Sequence, residues 1–511
     1  MIMVKQICAL LLCLVMLVGC SSHVVSNDIQ SSISQTESVE VTNNDTTFVT
    51  ESTQVTTEPV VTAPTESTVP VTETTSLSDD TQVEEIESVP VYTEPVISEE
   101  TEPPVIDDIS IETEPEVEKS IDELVNDGIY MLEGSFGFYK GSVSMSEIET
   151  VTFTRTAPIS YDESWNANVA DTDDIKGYRD GNHVIIVGEH IYANSRCTYM
   201  FAARNGYGDS LWSNLATING LELLNMSYVT NMKMMFAYGQ FVSLPGIGSW
   251  DVGSVTNMSM AFAWCTNLTD LDIADWDVSN VRTFSGMFQG NSHAGDMRLQ
   301  YLDVSRWNTA SAEEMNHMFY GCGLLTYIPV ENWDVSGVVT FSHMFADCFS
   351  LQSLDLSRWE TVSVNSFDAF LNDCRSLVTI DVSGLETTTC QQFSQMFEAC
   401  TGLQHIIGLE RWDVSNASNY AFSETFHCCY SLQELNIGSW TVAPDNTARM
   451  VKNCYALVYI DMSGFDMSNN IHVTEMFMGC GNLTEVVGLA TWNLTSANGY
   501  DSMFIDSGLV K

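Results

Sequence analysis

The chain has 511 residues and a formal net charge of −50 at pH 7, because 68 acidic residues face only 18 lysines and arginines. Such an excess repels phosphate and therefore excludes nucleic acid as the partner. It permits attraction to a basic protein patch or to divalent cations, and it would equally keep a long exposed protein in solution.

The first twenty residues have the pattern of a bacterial export signal. Lys5 precedes an apolar run over residues 7–18, which is too short to span a membrane and has the length of a signal-peptide core. The run leads into the sequence LVGC, which resembles the lipobox of bacterial lipoproteins. This resemblance implies that Cys20 becomes the new N-terminus and carries acyl chains that anchor the protein to the membrane. Ordinary cleavage and release is the alternative.

Residues 21–124 have the composition of a disordered tether. The segment holds 25 acidic residues and a single base, Lys119, and it is dominated by Thr, Ser, Glu, Val and Pro. It cannot bury enough apolar surface to offset its chain entropy. Proline and like charges extend such a chain, so we expect its ends on the order of 60 Å apart or more. The tether is therefore expected to hold the following domain away from the cell.

Residues 125–198 are predicted to form a small β-rich N-terminal cap. The stretches IETVTFTRTAP and HVIIVG have the composition of strands, and Asp180 with Gly181 has the pattern of a hairpin turn. A repeat protein needs its first apolar face covered, which is the simplest role for this segment. A separate binding domain is the alternative.

One phrase recurs eleven times in the rest of the chain. Its landmark is a Met-Phe pair that is often followed three residues later by cysteine, and most steps between landmarks are 26 residues. The landmarks lie at Phe236, Phe262, Phe288, Phe319, Phe345, Leu371, Phe397, Phe426, Val451, Phe477 and Phe504. Units of this period bury their apolar faces against their neighbours. We therefore predict a leucine-rich-repeat solenoid over residues 199–511, with 11 to 12 repeats.

The repeat unit is clear in residues 265–288. The sequence LTDLDI, residues 268–273, alternates like a short strand with one buried face. The sequence WDVSN that follows suits a turn or a helix N-cap. Apolar residues from Val281 to Phe288 then have the spacing of a helix. The predicted fold class is therefore α/β, with a short strand and a short helix in each repeat.

These repeats resemble a known family. The sequences WDVSNVRTFSGMF, WDVGSVTNMSMAF and CFSLQSLDLSRW look like the repeats of BspA-like leucine-rich-repeat surface proteins, and the resemblance runs from about Ser164 onward. It implies a bacterial cell-surface protein, and some members are described as adhesins for host or matrix proteins. The chain departs from the pattern through apolar exchanges that a core position tolerates. These are Leu385 and Phe465 in the Trp slot, and Leu371 and Val451 in the Phe slot.

One exposed position of the predicted strand is acidic in repeat after repeat. It is occupied by Asp272, Asp303, Asp355, Asp381 and Asp461. Because neighbouring strands lie about 4.8 Å apart, we expect a broken acidic row on the exposed face of the sheet. Like charges at this spacing repel, so hydrogen bonds from serines two residues on, cations or a basic ligand must compensate. The row is the candidate binding face, and a purely local hydrogen-bonding role is the alternative.

Cysteine and histidine also occupy repeated slots. Eight cysteines lie three residues after a landmark, which predicts a buried ladder of free thiols. Disulfides between neighbouring repeats are the alternative. His317 and His343 share a slot on adjacent repeats. They are predicted to be solvent-facing helix positions, and metal binding is the alternative.

The sequence contains no nucleophile elbow, HExxH, phosphate loop or dinucleotide fingerprint. We therefore predict no enzyme activity, no metal and no cofactor. The tether and the long repeat surface favour a lipid-anchored cell-surface protein, an adhesin, whose partner is an extracellular protein or glycan. The alternative is a structural spacer of the cell envelope that has no specific ligand.

Overall fold

A computed structural model describes residues 130–291, 297–495 and 497–509. The predicted signal peptide with Cys20, the tether and the first residues of the cap lie outside the described residues. The strands are β1 (Thr150–Thr154), β2 (Glu163–Asn166), β3 (Ile175–Asp180), β4 (His183–Gly188), β5 (Ile191–Tyr192), β6 (Thr217–Asn219), β7 (Leu224–Asn225), β8 (Thr379–Asp381), β9 (His405–Ile407), β10 (Glu434–Asn436), β11 (Tyr459–Asp461) and β12 (Glu485–Val487). Single 3-10 turns lie at Met145–Glu147, Leu221–Leu223, Ile247–Ser249, Leu409–Arg411, Met467–Asn469, Leu489–Thr491 and Tyr500–Ser502.

A five-stranded sheet is formed mainly by the segment that precedes the repeats. Its order is β2-β3-β4-β1-β6, with β3 and β4 antiparallel and β1 parallel to both β4 and β6. Gly181 turns the hairpin with a φ of +58°, a left-handed conformation that glycine adopts without steric cost. Val151 and Phe153 of β1 point into the core. Both predicted strands and their hairpin are therefore confirmed.

The core of this sheet continues into the repeats. The ring of Phe153 packs edge-on against Phe201, with centroids 6.2 Å apart. Phe201 stacks on the landmark Phe236 at 5.6 Å, and Phe236 stacks on the next landmark, Phe262, at 5.2 Å. All four belong to one cluster of buried apolar side chains. The sheet thus covers the apolar face of the first repeat.

Each repeat contributes one short stretch of strand, which we name a rung. In one rung Leu268, Leu271 and Ile273 are buried, whereas Asp270 and Asp272 are exposed. Neighbouring rungs are parallel and one repeat apart, as in the pair β8–β9 and the three-stranded sheet β10-β11-β12. Single parallel bridges join two further pairs of rungs, at Ser243 with Asp270 and at Tyr327 with Ser353. The alternation predicted from the sequence is therefore confirmed.

The short helix predicted at each landmark is wrong. The described residues contain no α-helix, and the landmarks lie in successive turns. In most repeats the residues two before and two after the landmark have positive φ, as Met260 (55°) and Trp264 (57°) do around Phe262. An α-helix cannot continue through such left-handed positions.

Hydrogen bonds between repeats explain why turns replace the helix. The N–H groups of Met260 and Phe262 donate to carbonyls of the following repeat, those of Ser285 and Met287, each at 2.9 Å. The alternate N–H groups close turns within the repeat, as Ala263 does to Met260 at 3.1 Å. A helix would use all of these donors internally. The donors thus tie each landmark turn to the next repeat.

The predicted cysteine ladder is confirmed in the described residues, where every cysteine is free and buried. Cys374 donates its S–H to the carbonyl of Phe345 at 3.2 Å, and Cys400 donates to that of Leu371 at 3.1 Å. The same bond joins all eight slot cysteines to the landmark of the preceding repeat. Burial raises the pKa of Cys265 to about 12. The slot therefore has a structural role, because each thiol bonds to a buried carbonyl.

Candidate functional site

The outward side of the rungs forms a repeated surface of the described residues, and we name it the strand face. Each rung presents three positions there. The first, directly before the second, is uncharged throughout, as at Thr269, Thr326 and Thr484. The second position holds Ser243, Asp270, Tyr301, Tyr327, Ser353, Thr379, His405, Glu434, Tyr459 and Glu485. The third holds Pro245, Asp272, Asp303, Pro329, Asp355, Asp381, Ile407, Asn436, Asp461 and Val487. Neither lysine nor arginine occurs at any of these positions.

The aspartates predicted from the sequence lie at the third position. Asp303 and Asp355 each accept a hydrogen bond of 3.0 Å from the backbone N–H of the serine two residues on. Asp381 and Asp461 do the same at 2.9 Å. These serines hold the pKa of Asp303 and Asp355 below the ordinary range. The carboxylates of Asp303 and Asp355 are therefore stabilised as anions.

The acidic residues at the third position do not form a continuous row. Asp272 and Asp303 lie on neighbouring rungs, and so do Asp355 and Asp381, but Pro329 separates the two pairs. Asp461 stands apart, because the rungs beside it carry asparagine and valine at this position. The slots thus place four of the predicted aspartates in two neighbouring pairs and leave Asp461 single.

Two exposed tyrosines on the strand face were missed by the sequence analysis. Tyr301 is 64% exposed and Tyr327 is 39% exposed, so both rings are open to solvent. The hydroxyl of Tyr327 donates to the carboxylate of Glu331 at 3.2 Å, and burial, followed by the charge of Glu331, raises its pKa. The available signal was an aromatic residue in two successive repeats at a slot that is polar in most others.

A second set of aspartates uses the same hydrogen bond away from the strand face. Asp277, directly after a Trp slot, accepts from the N–H of Ser279 at 3.1 Å, and Asp413 accepts from Ser415 at 2.9 Å. The predicted turn at WDVSN is therefore confirmed. Because the motif recurs on two surfaces, the Asp-to-Ser bond is a turn-forming device and does not by itself mark a binding site.

The prediction that His317 and His343 face solvent is wrong. Both are half-buried and stack in parallel, with ring centroids 4.8 Å apart and an angle of 5°. Tyr320 packs edge-on against both rings. Burial lowers the pKa of His317 to about 4. Within the described residues no group of three or more His, Cys, Asp or Glu is arranged to hold a metal ion.

A groove of about 270 Å³ lies where the N-terminal sheet meets the first repeats. Its lining includes Arg155 together with the acidic residues Glu189, Glu222 and Asp251.

Among the described residues, none of the helices has the length and apolarity needed to cross a bilayer.

Comparison with known proteins finds one family. DUF285, described as a Mycoplasma protein of unknown function, matches residues 198–296, 291–408 and 391–510. No curated protein matches the chain.

Solved structures similar to this chain include bacterial leucine-rich-repeat proteins. One from Bacteroides ovatus is 14% identical over 68% of this chain and 89% of that chain, with a TM-score of 0.28. A leucine-rich cell surface protein from Faecalibacterium prausnitzii is 13% identical over 74% and 94%, with a TM-score of 0.25. An internalin from Listeria monocytogenes is 12% identical over 54% and 81%, with a TM-score of 0.20.

Proposed function

This chain belongs to the DUF285 family of repeat proteins, and from that premise we propose that it is a cell-surface binding protein. Its repeats form a leucine-rich-repeat solenoid, related to the BspA-like surface proteins, over residues 199–511. Residues 125–198 cap the first repeat. The strand face receives an extracellular protein or glycan, which makes the protein an adhesin.

One observation carries this proposal. Tyr301 and Tyr327 expose their rings on the same face as carboxylates that are already stabilised as anions, such as Asp303 and Asp355. Exposed aromatic rings beside fixed hydrogen-bond acceptors are typical of recognition surfaces. A face that served only to keep the protein in solution would gain nothing from exposed rings.

The segment before the cap directs export of the protein and holds the repeats away from the membrane. Cys20 is lipidated and anchors the protein to the bacterial membrane, and residues 21–124 act as the tether between the anchor and the repeats. We assign no catalytic role, cofactor or metal to the protein. Replacing Cys20 by serine should release the protein into the medium and abolish its labelling with a fatty-acid analogue. Retention on the cell without labelling would contradict the anchor.

A spacer without a specific ligand is the second candidate. It is favoured by the hydrogen bonds that already satisfy the strand-face aspartates, as Ser357 does for Asp355. It is also favoured by the same bond at Asp277, which lies off the strand face.

Binding by the whole protein separates the two candidates. The full chain, displayed on cells or purified, is tested against extracellular matrix proteins, glycans and whole cells. We expect saturable binding to at least one ligand, and we expect the variant Tyr301→Ser/Tyr327→Ser to lose it. The control Tyr207→Ser/Tyr420→Ser changes two tyrosines that are also exposed, at 88% and 56%. Binding to no ligand would favour the spacer, and equal loss in both variants would place the site elsewhere.

A further inference from the structure

The strand face carries more acidic than basic charge. It carries eight carboxylates over ten rungs and no lysine or arginine. Arg306 and Arg358 lie near enough to Asp303 and Asp355 to help lower the pKa of these two carboxyls.

Elsewhere some acids form ion pairs, as Glu313 does with Arg282, and as Glu424 and Glu475 do with Arg449. Within the described residues no strand-face aspartate or glutamate forms such an ion pair. Most of the negative charge of this face is therefore left for a partner to neutralise.

Aromatic rings lie within this acidic surface. Tyr301 and Tyr327 occupy the second position of successive rungs, and the Tyr327 hydroxyl lies near enough to Asp355 for that carboxylate to contribute to raising its pKa. Asp303 follows Tyr301 by two residues on the same face, a distance of about 6.6 Å along the strand. A cationic side chain over either ring gains a cation–π contact, and it can reach a carboxylate at the same time.

The spacing of the acids selects an extended partner. Neighbouring rungs are about 4.8 Å apart and same-side residues along a rung about 6.6 Å apart. Two carboxylates at the shorter interval could share one small cation, whose ligands lie at about 2.0–2.6 Å, but no group of three or more His, Cys, Asp or Glu in the described residues is arranged to hold one. An extended polypeptide places alternate side chains about 6.6 Å apart. It can therefore present one cation after another to the face.

We propose that the strand face from Asp270 to Asp355 docks an extended, lysine- or arginine-rich polypeptide segment. Tyr301 and Tyr327 receive cationic side chains on their rings, and Asp303 and Asp355 accept hydrogen bonds from them. This inference rests on the binding function proposed above and specifies the class of its partner.

The test uses the full chain and a twelve-residue peptide of alternating lysine and serine. The same peptide with every lysine acetylated is the uncharged control, and a neutral oligosaccharide is the third probe. The acidic tether binds cations too, but its contribution is the same in every variant. We expect saturable binding of the lysine peptide that weakens with added salt, and no binding of the acetylated peptide.

Matched variants locate the site. Asp303→Asn/Asp355→Asn removes two strand-face charges and keeps an acceptor oxygen in each turn. Asp277→Asn/Asp413→Asn makes the same change of net charge at the equivalent turns elsewhere. The strand-face pair should weaken binding of the lysine peptide about tenfold. The control pair should change it less than twofold.

The tyrosines give an independent measurement. Tyr301→Ser/Tyr327→Ser should also weaken the lysine peptide about tenfold, whereas Tyr207→Ser/Tyr420→Ser should not. Equal losses in strand-face and control variants would show that only bulk charge matters and would overturn the inference. So would failure to bind the lysine peptide at all. Binding of the neutral oligosaccharide through Tyr301 and Tyr327 instead would overturn it while leaving the proposed binding function intact.

Discussion

The indole N–H of Trp276 donates a hydrogen bond of 3.1 Å to the backbone carbonyl of Ile247, one repeat earlier in the chain. Trp333 makes the equivalent bond to Val304 at 3.0 Å. The Trp276 ring also lies parallel to that of Trp250, with centroids 6.2 Å apart. The Trp slot therefore sets the register between repeats, since a shift of one residue would break the bond and the stacking together.

Removing one indole N–H should measure this contribution. Trp333→Phe keeps an aromatic ring and deletes the donor to Val304, so we expect the free energy of unfolding to fall by about 1 kcal/mol beyond the loss of ring volume. Trp492→Phe is the matched control, because its indole nitrogen is buried and has no hydrogen-bond partner among the described residues. Urea unfolding of both variants gives the difference. Equal losses would show that the bond contributes nothing.

The stacked histidines should make stability fall in acid. Burial lowers the pKa of His317 to about 4 and lowers that of His343, whereas an unperturbed imidazole titrates at about 6.5. The unfolded chain therefore takes up protons first. The stability that the neutral pair supplies is complete above about pH 6.5 and is lost as the pH falls towards about 4. Burial raises the pKa of Asp368, which opposes part of this trend.

The loss should be about 2 kcal/mol, which is less than the full pKa shift implies, because both rings are partly exposed. Denaturant unfolding at pH 7.5 and pH 4.5 measures it in the parent chain and in His317→Gln/His343→Gln. The double variant should show the smaller difference between the two pH values. His405→Gln, at an exposed position of the strand face, is the control and should behave like the parent. An unchanged difference in the double variant would contradict the prediction.

The buried thiols should not react with a thiol reagent until the protein unfolds. All eleven cysteines of the described residues are buried and free, and burial raises the pKa of Cys197 and Cys265 to about 12. The thiolate that reacts with reagents is therefore scarce at neutral pH. Titration with a disulfide reagent, without reductant, should find eleven more thiols in denaturant than in the folded protein. A smaller difference would mean either disulfides or exposed thiols.

Left-handed backbone positions after the landmark should respond to glycine in a predictable direction. Ala399 and Gly479 share this position and have φ values of 56° and 78°. Ala399→Gly relieves about 1–2 kcal/mol of steric strain and costs about 0.5–1 kcal/mol of chain entropy, so a net gain of about 0.5 kcal/mol is expected. Gly479→Ala should lose about 1 kcal/mol or more, because its Cβ would lie 2.5 Å from Oδ1 of Asn453.

Thermal or urea unfolding of the two variants provides the check. Ala261→Gly serves as the control, since Ala261 is buried and is absent from the positive-φ positions. We expect it to lose stability by about 1 kcal/mol. A gain from glycine at both alanines would show that chain flexibility, and not the backbone conformation, governs the effect.

The sequence was sufficient to predict features that depend on residues close together within one repeat. The alternation of Leu268, Leu271 and Ile273 is visible within six residues, and the structure buries all three. The prediction of a helix was wrong although its premise was correct. Met258, Ala261 and Cys265 have helical spacing in the sequence, and all three are buried. The spacing of buried residues does not reveal the sign of φ at the residues between them. That sign depends on hydrogen bonds to a repeat about 26 residues away.

The candidate site was predictable only in part for the same reason. Asp303 and its counterparts could be found because one residue type returns in one slot. Tyr301 and Tyr327 can be recognised as candidate binding residues only when their face is known to be exposed. His317 was misplaced because its burial depends on His343, its stacking partner in the following repeat.

The direction of the landmark hydrogen bonds has a consequence for how such a chain can grow. Every repeat offers donors to the unit after it and acceptors to the unit before it, as Phe236 and Phe262 do through Ala261 and Met287. A whole duplicated unit can therefore be spliced between two others and find both of its edges satisfied. Insertion of part of a repeat would leave backbone N–H groups facing other N–H groups instead of carbonyl acceptors. The number of landmark turns therefore changes most easily by complete repeats, while the exposed slots of each repeat stay free to change.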